Sequence, residues 1–252
     1  MRSRQLDENA PTRKNDFGSP AVWILLNLAF LMLALASPHL GLRAQANDPR
    51  TTDSSLPTVS FSLDFPGSQP DHFTFKIDAN GHAMYESTAK LSLDSQDEDA
   101  LHLDFTASAR TRAKIFDLAA RAKYFQGPLD SGKHNLASTG RKSLAYKDSK
   151  KDTHATYNYS PIPAVQELTN LFQNMSTTLE FGRRLDYDHR YQKLALDEEL
   201  KRMEDMAKGN SLEEIQAVEP ILRRIAADPS VINVVRARAQ RLAEQAQSSP
   251  KR

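Results

Sequence analysis

The chain has 252 residues, 39% of them hydrophobic, so it is long enough to bury a sizeable core and too apolar to be a disordered polymer. Thirty-three Lys and Arg against 32 Asp and Glu leave a formal charge of +1, which gives no global pull toward nucleic acid, and no nucleic-acid partner is expected. With no cysteine, disulfide staples, thiol nucleophiles, thiolate metal sites and a lipid on an N-terminal cysteine are all excluded.

Residues 1–20 are polar and carry Arg2, Arg4, Arg13 and Lys14, and the run from Ala21 to Ala36 is apolar on every side. That layout predicts an export signal with a cut after Ala46, in the small-residue context Ala44-Gln45-Ala46. Extended to Leu42, the stretch reaches the roughly 20 residues that span a bilayer, so an uncleaved anchor held in the membrane through Ala21–Leu42 is the competing reading. Both readings put the basic leader on the cytoplasmic side and the rest of the chain outside the cytoplasm: periplasmic or secreted if cleaved, membrane-anchored if not. Residues 47–57, rich in Asp, Thr, Ser and Pro, then read as a polar linker.

From residue 58 the period is two. Val59, Phe61, Leu63 and Phe65, then Phe73, Phe75 and Ile77, alternate with polar residues and predict two half-buried strands. Asp78-Ala79-Asn80-Gly81 is turn chemistry leading into a third strand at His82–Thr88, and Leu101, Leu103 and Phe105 mark a fourth after the acidic segment 94–99. Ile115, Ala119 and Ala122 then follow helical spacing. Leu144 with Tyr146, and Ala155 with Tyr157 and Tyr159, predict two more strands turning at Asp148–Asp152.

Pro161 and Pro163 open a second helix with the apolar stripe Val165, Leu168, Phe172, Met175 and Leu179, and Gly182 predicts a bend or stop. Beyond it, Leu196, Leu200, Met203 and Ala207 share a helical face, with Glu198 and Arg202 spaced to pair. Ser211 with Glu214 predicts a capping box for a helix burying Ile215, Val218, Leu222 and Ile225. Asp228-Pro229 predicts the start of a last helix with Val231, Val234, Val235 and Leu242 inward. The expected fold is α+β: an antiparallel or mixed sheet with two helices over residues 58–182, followed by an all-helical region over 183–252.

No motif meets the geometric demands of catalysis, and no catalytic, metal or cofactor residues are assigned. Gly127 to His134 approaches a phosphate-binding loop, but His134 replaces the hydroxyl that would hold magnesium, and no helix follows to aim the amides. Ser87 and Lys90 have the spacing of a Ser-x-x-Lys nucleophile, yet on a strand residues three apart face opposite ways, so surface strand residues are expected. His72, His82, His102, His134, His154 and His189 show no ligand spacing, although neighbouring strands would bring the first three near one another. Asp94, Asp97, Glu98 and Asp99 lack the glycine and alternating oxygens of a calcium loop.

Two features fit binding. Lys133, Arg141, Lys142, Lys147, Lys150 and Lys151 form a locally basic region suited to an anionic envelope component or a protein partner, the alternative being the lysine-rich rim of a sheet edge. Tyr157 and Tyr159 are placed to stack a sugar or to fill core.

The stretches Phe75–Tyr85, Ile115–Phe125, Thr139-Gly140 and Leu144–Tyr146 resemble small exported bacterial domains of unassigned function, a likeness over about half of the chain beyond the leader that implies no catalytic residues. Asp228–Ala239 is similar to one helical repeat of the HEAT type, and a lone repeat implies no solenoid. The expectation is a non-enzymatic extracytoplasmic binding domain; an envelope hydrolase, or an assembly protein acting through its helical tail, is the alternative.

Overall fold

The alternating segments form a six-stranded sheet because their period places every second side chain on one face. The computed structural model describes residues 56–89, 99–133 and 135–248; the leader and most of the linker, segment 90–98 with Lys90, Asp94, Asp97 and Glu98, and His134 lie outside them. The strands are β1 (Thr58–Asp64), β2 (His72–Asp78), β3 (His82–Ala89), β4 (Asp99–Thr106), β5 (Arg141–Lys147) and β6 (Asp152–Tyr157). Their order is β4-β3-β2-β1-β5-β6, and each neighbouring pair is antiparallel, which settles the expectation of an antiparallel or mixed sheet in favour of the former. The β2–β3 hairpin turns as its residues require: Gly81 sits at φ +95°, and Asp78 Oδ1 accepts from the amides of Asn80 and His82.

One face of the sheet is covered. Val59, Phe61, Phe73, Phe75, Ile77, Tyr85 and Leu144 point into the core. Helix α1 (Ala109–Arg121) and the long helix α2 (Pro163–Tyr191) belong to that core, and Phe172 of α2 stacks on Phe61 with centroids 5.0 Å apart and meets Phe75 at 5.4 Å. Burying such a ring contributes about 2–3 kcal/mol. The opposite face bears His82, Met84, Glu86, His102, Asp104, Ser60, Ser62 and Thr74, half-buried or exposed, which is the usual solvated side of an antiparallel sheet.

Helix α2 departs from expectation at Gly182, through which it runs unbroken. Glycine is there for packing: a Cβ would lie 2.5 Å from Val218 Cγ1. Helices α3 (Leu196–Lys208), α4 (Glu219–Ala227) and α5 (Asn233–Ser248) complete the fold, and all described residues belong to one compact unit. The stripe Leu196, Leu200, Met203 and Ala207 is buried as expected, while Arg202 pairs with Glu199 at 3.1 Å and not with Glu198.

The capping box at Ser211 does not form. Glu214 adopts a left-handed conformation before a short 3-10 turn, Ile215–Val218, and its carboxylate reaches back to the start of α1. It accepts from Ser108 N at 2.9 Å and Ser108 Oγ at 2.7 Å, while Ser108 itself caps α1 by accepting from Thr111 N. A carboxylate at this helix N-terminus is favoured by the free amides and dipole. The last helix begins at Asn233, later than Asp228-Pro229 suggests, and Val234 is 55% exposed, its place inside taken by Ala239, Ala243 and Ala246.

Candidate functional site

The basic region does not converge. Alternation along β5 sends Arg141 to the solvent face and Lys142 into the core, so neighbours in sequence end on opposite sides of the sheet. Arg141 pairs with Asp64 at 2.8 Å, Lys147 with Asp152 at 3.2 Å, and Lys151 lies 4.4 Å from the centre of the Tyr124 ring. Asp148 accepts from the amides of Lys150 and Lys151, bonds that hold its carboxyl below the usual carboxylate range and place a negative charge among these lysines. Lys133 stands on the exposed loop before residue 134.

Lys142 is 4% exposed. Its Nζ donates to Thr139 O and Thr139 Oγ1, each at 2.8 Å, and lies 3.0 Å from Asn158 O and 3.2 Å from Gly140 O. Burial pulls this amine below the ordinary lysine value. Four oxygens for three N–H bonds saturate it, so it fastens the 139–140 segment to the end of β6.

Ser87 is not a surface residue, contrary to expectation; it is 3% exposed and donates to Glu180 Oε1 at 2.6 Å. Tyr85 OH donates to the same oxygen at 2.9 Å and lies 2.9 Å from Ser176 Oγ, while Arg183 stands 3.7 Å from Glu180 Oε2. Burial, reinforced by the Glu180 charge, drives the Tyr85 hydroxyl far above its usual value. The cluster joins sheet to helix and has no opening for substrate.

Of the Gly127–His134 stretch, the described part up to Lys133 is likewise bonded within the fold. Asp130 accepts from Gly132 N through Oδ1 and from Asn158 N through Oδ2, and Ser131 N donates to Tyr159 O, so the loop closes over the chain leaving β6. Of the histidines, His102 and His82 meet at Asp104, at 3.3 and 3.8 Å, and His102 Nδ1 is 3.1 Å from Glu86. The Glu86 hydrogen bond, above all, lifts His102 above its ordinary value. Both its ring nitrogens are thereby occupied, His72 stands apart, and no group of metal-ligating side chains occurs among the described residues. His154 bonds Ser143 and His189 bonds Asp228.

Polar groups do gather in a groove beside the end of β6. One half, about 410 Å³, lies between this strand and the start of α2 and is lined by Lys142, Tyr157, Tyr159, Gln166, Asn170 and Gln173 among others. The adjoining half, about 440 Å³, shares Tyr157 and Asn158 and includes Asp130, Leu136, Ser138, Arg141 and Thr156. The two tyrosines differ. Tyr157 is core, 5% exposed, its hydroxyl 2.6 Å from Thr169 Oγ1 and pushed up by burial to about 12. Tyr159 lies beyond the strand and is 45% exposed, its hydroxyl accepting from Gln166 Nε2 at 2.9 Å, while that same nitrogen donates to Ser160 O at 2.8 Å.

Sequence reasoning missed the helical wall of this groove, although its signal was present. Gln166, Asn170 and Gln173 recur at steps of four and three, an amide stripe alongside the apolar stripe of α2. Neither Asn170 nor Gln173 spends its side-chain amide on another described residue, so both remain available to a ligand.

Comparison with protein-family models finds no match, and none of the curated proteins is similar to the chain. Among the described residues, no helix is long and apolar enough to cross a membrane.

Proposed function

We propose that the chain is an extracytoplasmic binding protein without catalytic activity, whose ligand site is the groove between the end of β6 and the first turns of α2. The observation that carries the site is the pairing of unspent amides, Asn170 and Gln173, with the exposed Tyr159 ring in a depression of ligand size. The candidate nucleophile, Ser87, is sealed in the core, and Lys142 is saturated by oxygen acceptors, so neither offers a reacting group to this groove. The location rests on the apolar run Ala21–Ala36 behind a basic leader.

Two measurements test the reading. Cell fractionation with N-terminal sequencing is expected to find the chain starting at Asn47 outside the cytoplasm, or intact in the membrane pellet. Recovery of the intact chain from the soluble cytoplasm would overturn the location. A thermal-shift screen of small polar ligands is expected to give stabilisers that lose their effect in Tyr159→Ala. Stabilisers that act equally on both proteins would overturn the site.

A further inference from the structure

We infer that the groove takes a neutral, polyhydroxylated ligand: a short glycan segment with one sugar ring over Tyr159. This rests on the groove being the ligand site. Its first support is electrostatic. The half beside α2 contains no carboxylate, and its single cation, Lys142, has its N–H bonds committed to Thr139, Gly140 and Asn158. An anion entering here would shed water without finding a free charged donor, because the Lys142 N–H bonds are already made, and a cation would find no carboxylate to pair with in this half. In the adjoining half Arg141 pairs with Asp64, and the Asp130 carboxylate accepts from the amides of Gly132 and Asn158.

The second support is hydrogen-bond chemistry. A sugar hydroxyl both donates and accepts, and a side-chain amide offers one group of each kind, so Asn170 and Gln173 match adjacent hydroxyls without any charge. Tyr159 supplies the apolar surface on which the C–H face of a sugar ring can lie. Its orientation is fixed before binding, because Gln166 bridges its hydroxyl to Ser160 O.

An extended peptide is the rival with similar polar groups. It would be held chiefly by adding to a free backbone edge, and where the chain leaves β6 into this groove two of those backbone groups are used: Asn158 N donates to Asp130 and Tyr159 O accepts from Ser131 N. Leu136, 40% exposed in the adjoining half, provides a second apolar contact further along, which suits a chain of sugars over a single one.

The test titrates the full-length protein with neutral cello-, malto- and chito-oligosaccharides, with an acidic oligogalacturonate, and with an uncharged extended peptide, by calorimetry. At least one neutral oligosaccharide series is expected to bind, more tightly with length. Tyr159→Ala should weaken it about five- to tenfold, and Asn170→Ala with Gln173→Ala comparably, whereas Lys76→Ala on the open sheet face should leave it unchanged. Binding of the acidic sugar or the peptide alone, still lost in Tyr159→Ala, would overturn the ligand class and leave the groove standing. Absence of any binding that responds to Tyr159→Ala would overturn both. Because Tyr159 is half exposed, an unchanged melting temperature confirms that the variant is folded.

Discussion

Ser87 Oγ donates to Glu180 Oε1 across 2.6 Å, tying the end of β3 to the longest helix. Tyr85 donates to the same oxygen and Arg183 faces the other, so one buried carboxylate serves three partners. Removing it leaves the buried Ser87 hydroxyl without its acceptor, leaves Tyr85 with Ser176 alone, and takes away the carboxylate that faces Arg183. Glu180→Ala is expected to lose about 3–5 kcal/mol in urea unfolding. Glu180→Gln, which keeps an acceptor, should lose about 1–2 kcal/mol. Equal losses in the two variants would show that the hydrogen bonds contribute nothing beyond the charge.

Gly182 invites the opposite of the usual helix rule. Alanine is worth about 1 kcal/mol more than glycine inside a helix. Here its methyl would sit 2.5 Å from Val218 Cγ1, and overpacking of that kind costs about 1–3 kcal/mol. Gly182→Ala is therefore expected to lower the melting temperature. Combined with Val218→Ala, which removes Cγ1 and leaves a Cβ contact of 3.2 Å, the same substitution should cost less than it does in the wild type. A double-mutant cycle with no coupling would contradict the close approach.

These two sites mark where the sequence is legible. Period-two alternation identified Val59, Phe61, Phe73, Phe75 and Ile77 as core, and helical spacing did the same for Leu168, Phe172, Met175 and Leu179, because burial of a face is a local property of a strand or helix. Gly182, Ser87 and Glu214 depart from their local pattern for one shared reason: each answers to a residue far along the chain, Val218, Glu180 and Ser108 respectively. A glycine that permits a helix crossing looks like one that ends a helix. A glutamate that caps a distant helix looks like one that caps its own. The groove fell between these cases. The sequence offers Tyr159 as a sugar platform, but the amide wall on α2 lines the same groove only once the β6–α2 connection is in place.

Lys142 gives a third prediction. Its ammonium holds the carbonyls of Thr139, Gly140 and Asn158, and Lys142→Met would keep the volume of the stem while leaving those acceptors without a donor. Part of that loss is offset, since Asn158 O still accepts from Thr139 Oγ1 and a buried charge is removed. A net cost of about 2 kcal/mol is expected, with faster amide exchange confined to residues 138–142 and the groove's ligand affinity reduced. A variant with unchanged exchange in that segment would mean that Gly140 and its neighbours are held by other contacts.

Asp188 carries the pH dependence. Burial, with the nearby Glu199 charge, raises its carboxyl from 3.8 to about 6, and Arg184, which opposes the shift, is itself bonded to Glu199 at 2.5 Å. Since the folded form holds this proton more tightly than the unfolded chain, folding is favoured by its uptake. The favourable contribution is complete below about pH 4 and is lost as the pH rises through about 6. Asp188→Asn removes the charge permanently. It should be more stable than the wild type at pH 7.5, by on the order of 1 kcal/mol after solvent screening of a half-exposed group, and the difference should vanish toward pH 4. Asp228 does not obscure the comparison. Hydrogen bonds from Lys193 and Ser230 hold its carboxyl far below the usual range, so it loses stability only under stronger acid, and it is common to both proteins. A stability difference that stayed constant between pH 4 and 7.5 would show that Asp188 ionises as it does in the unfolded chain, and that neither its burial nor Glu199 disfavours the charge.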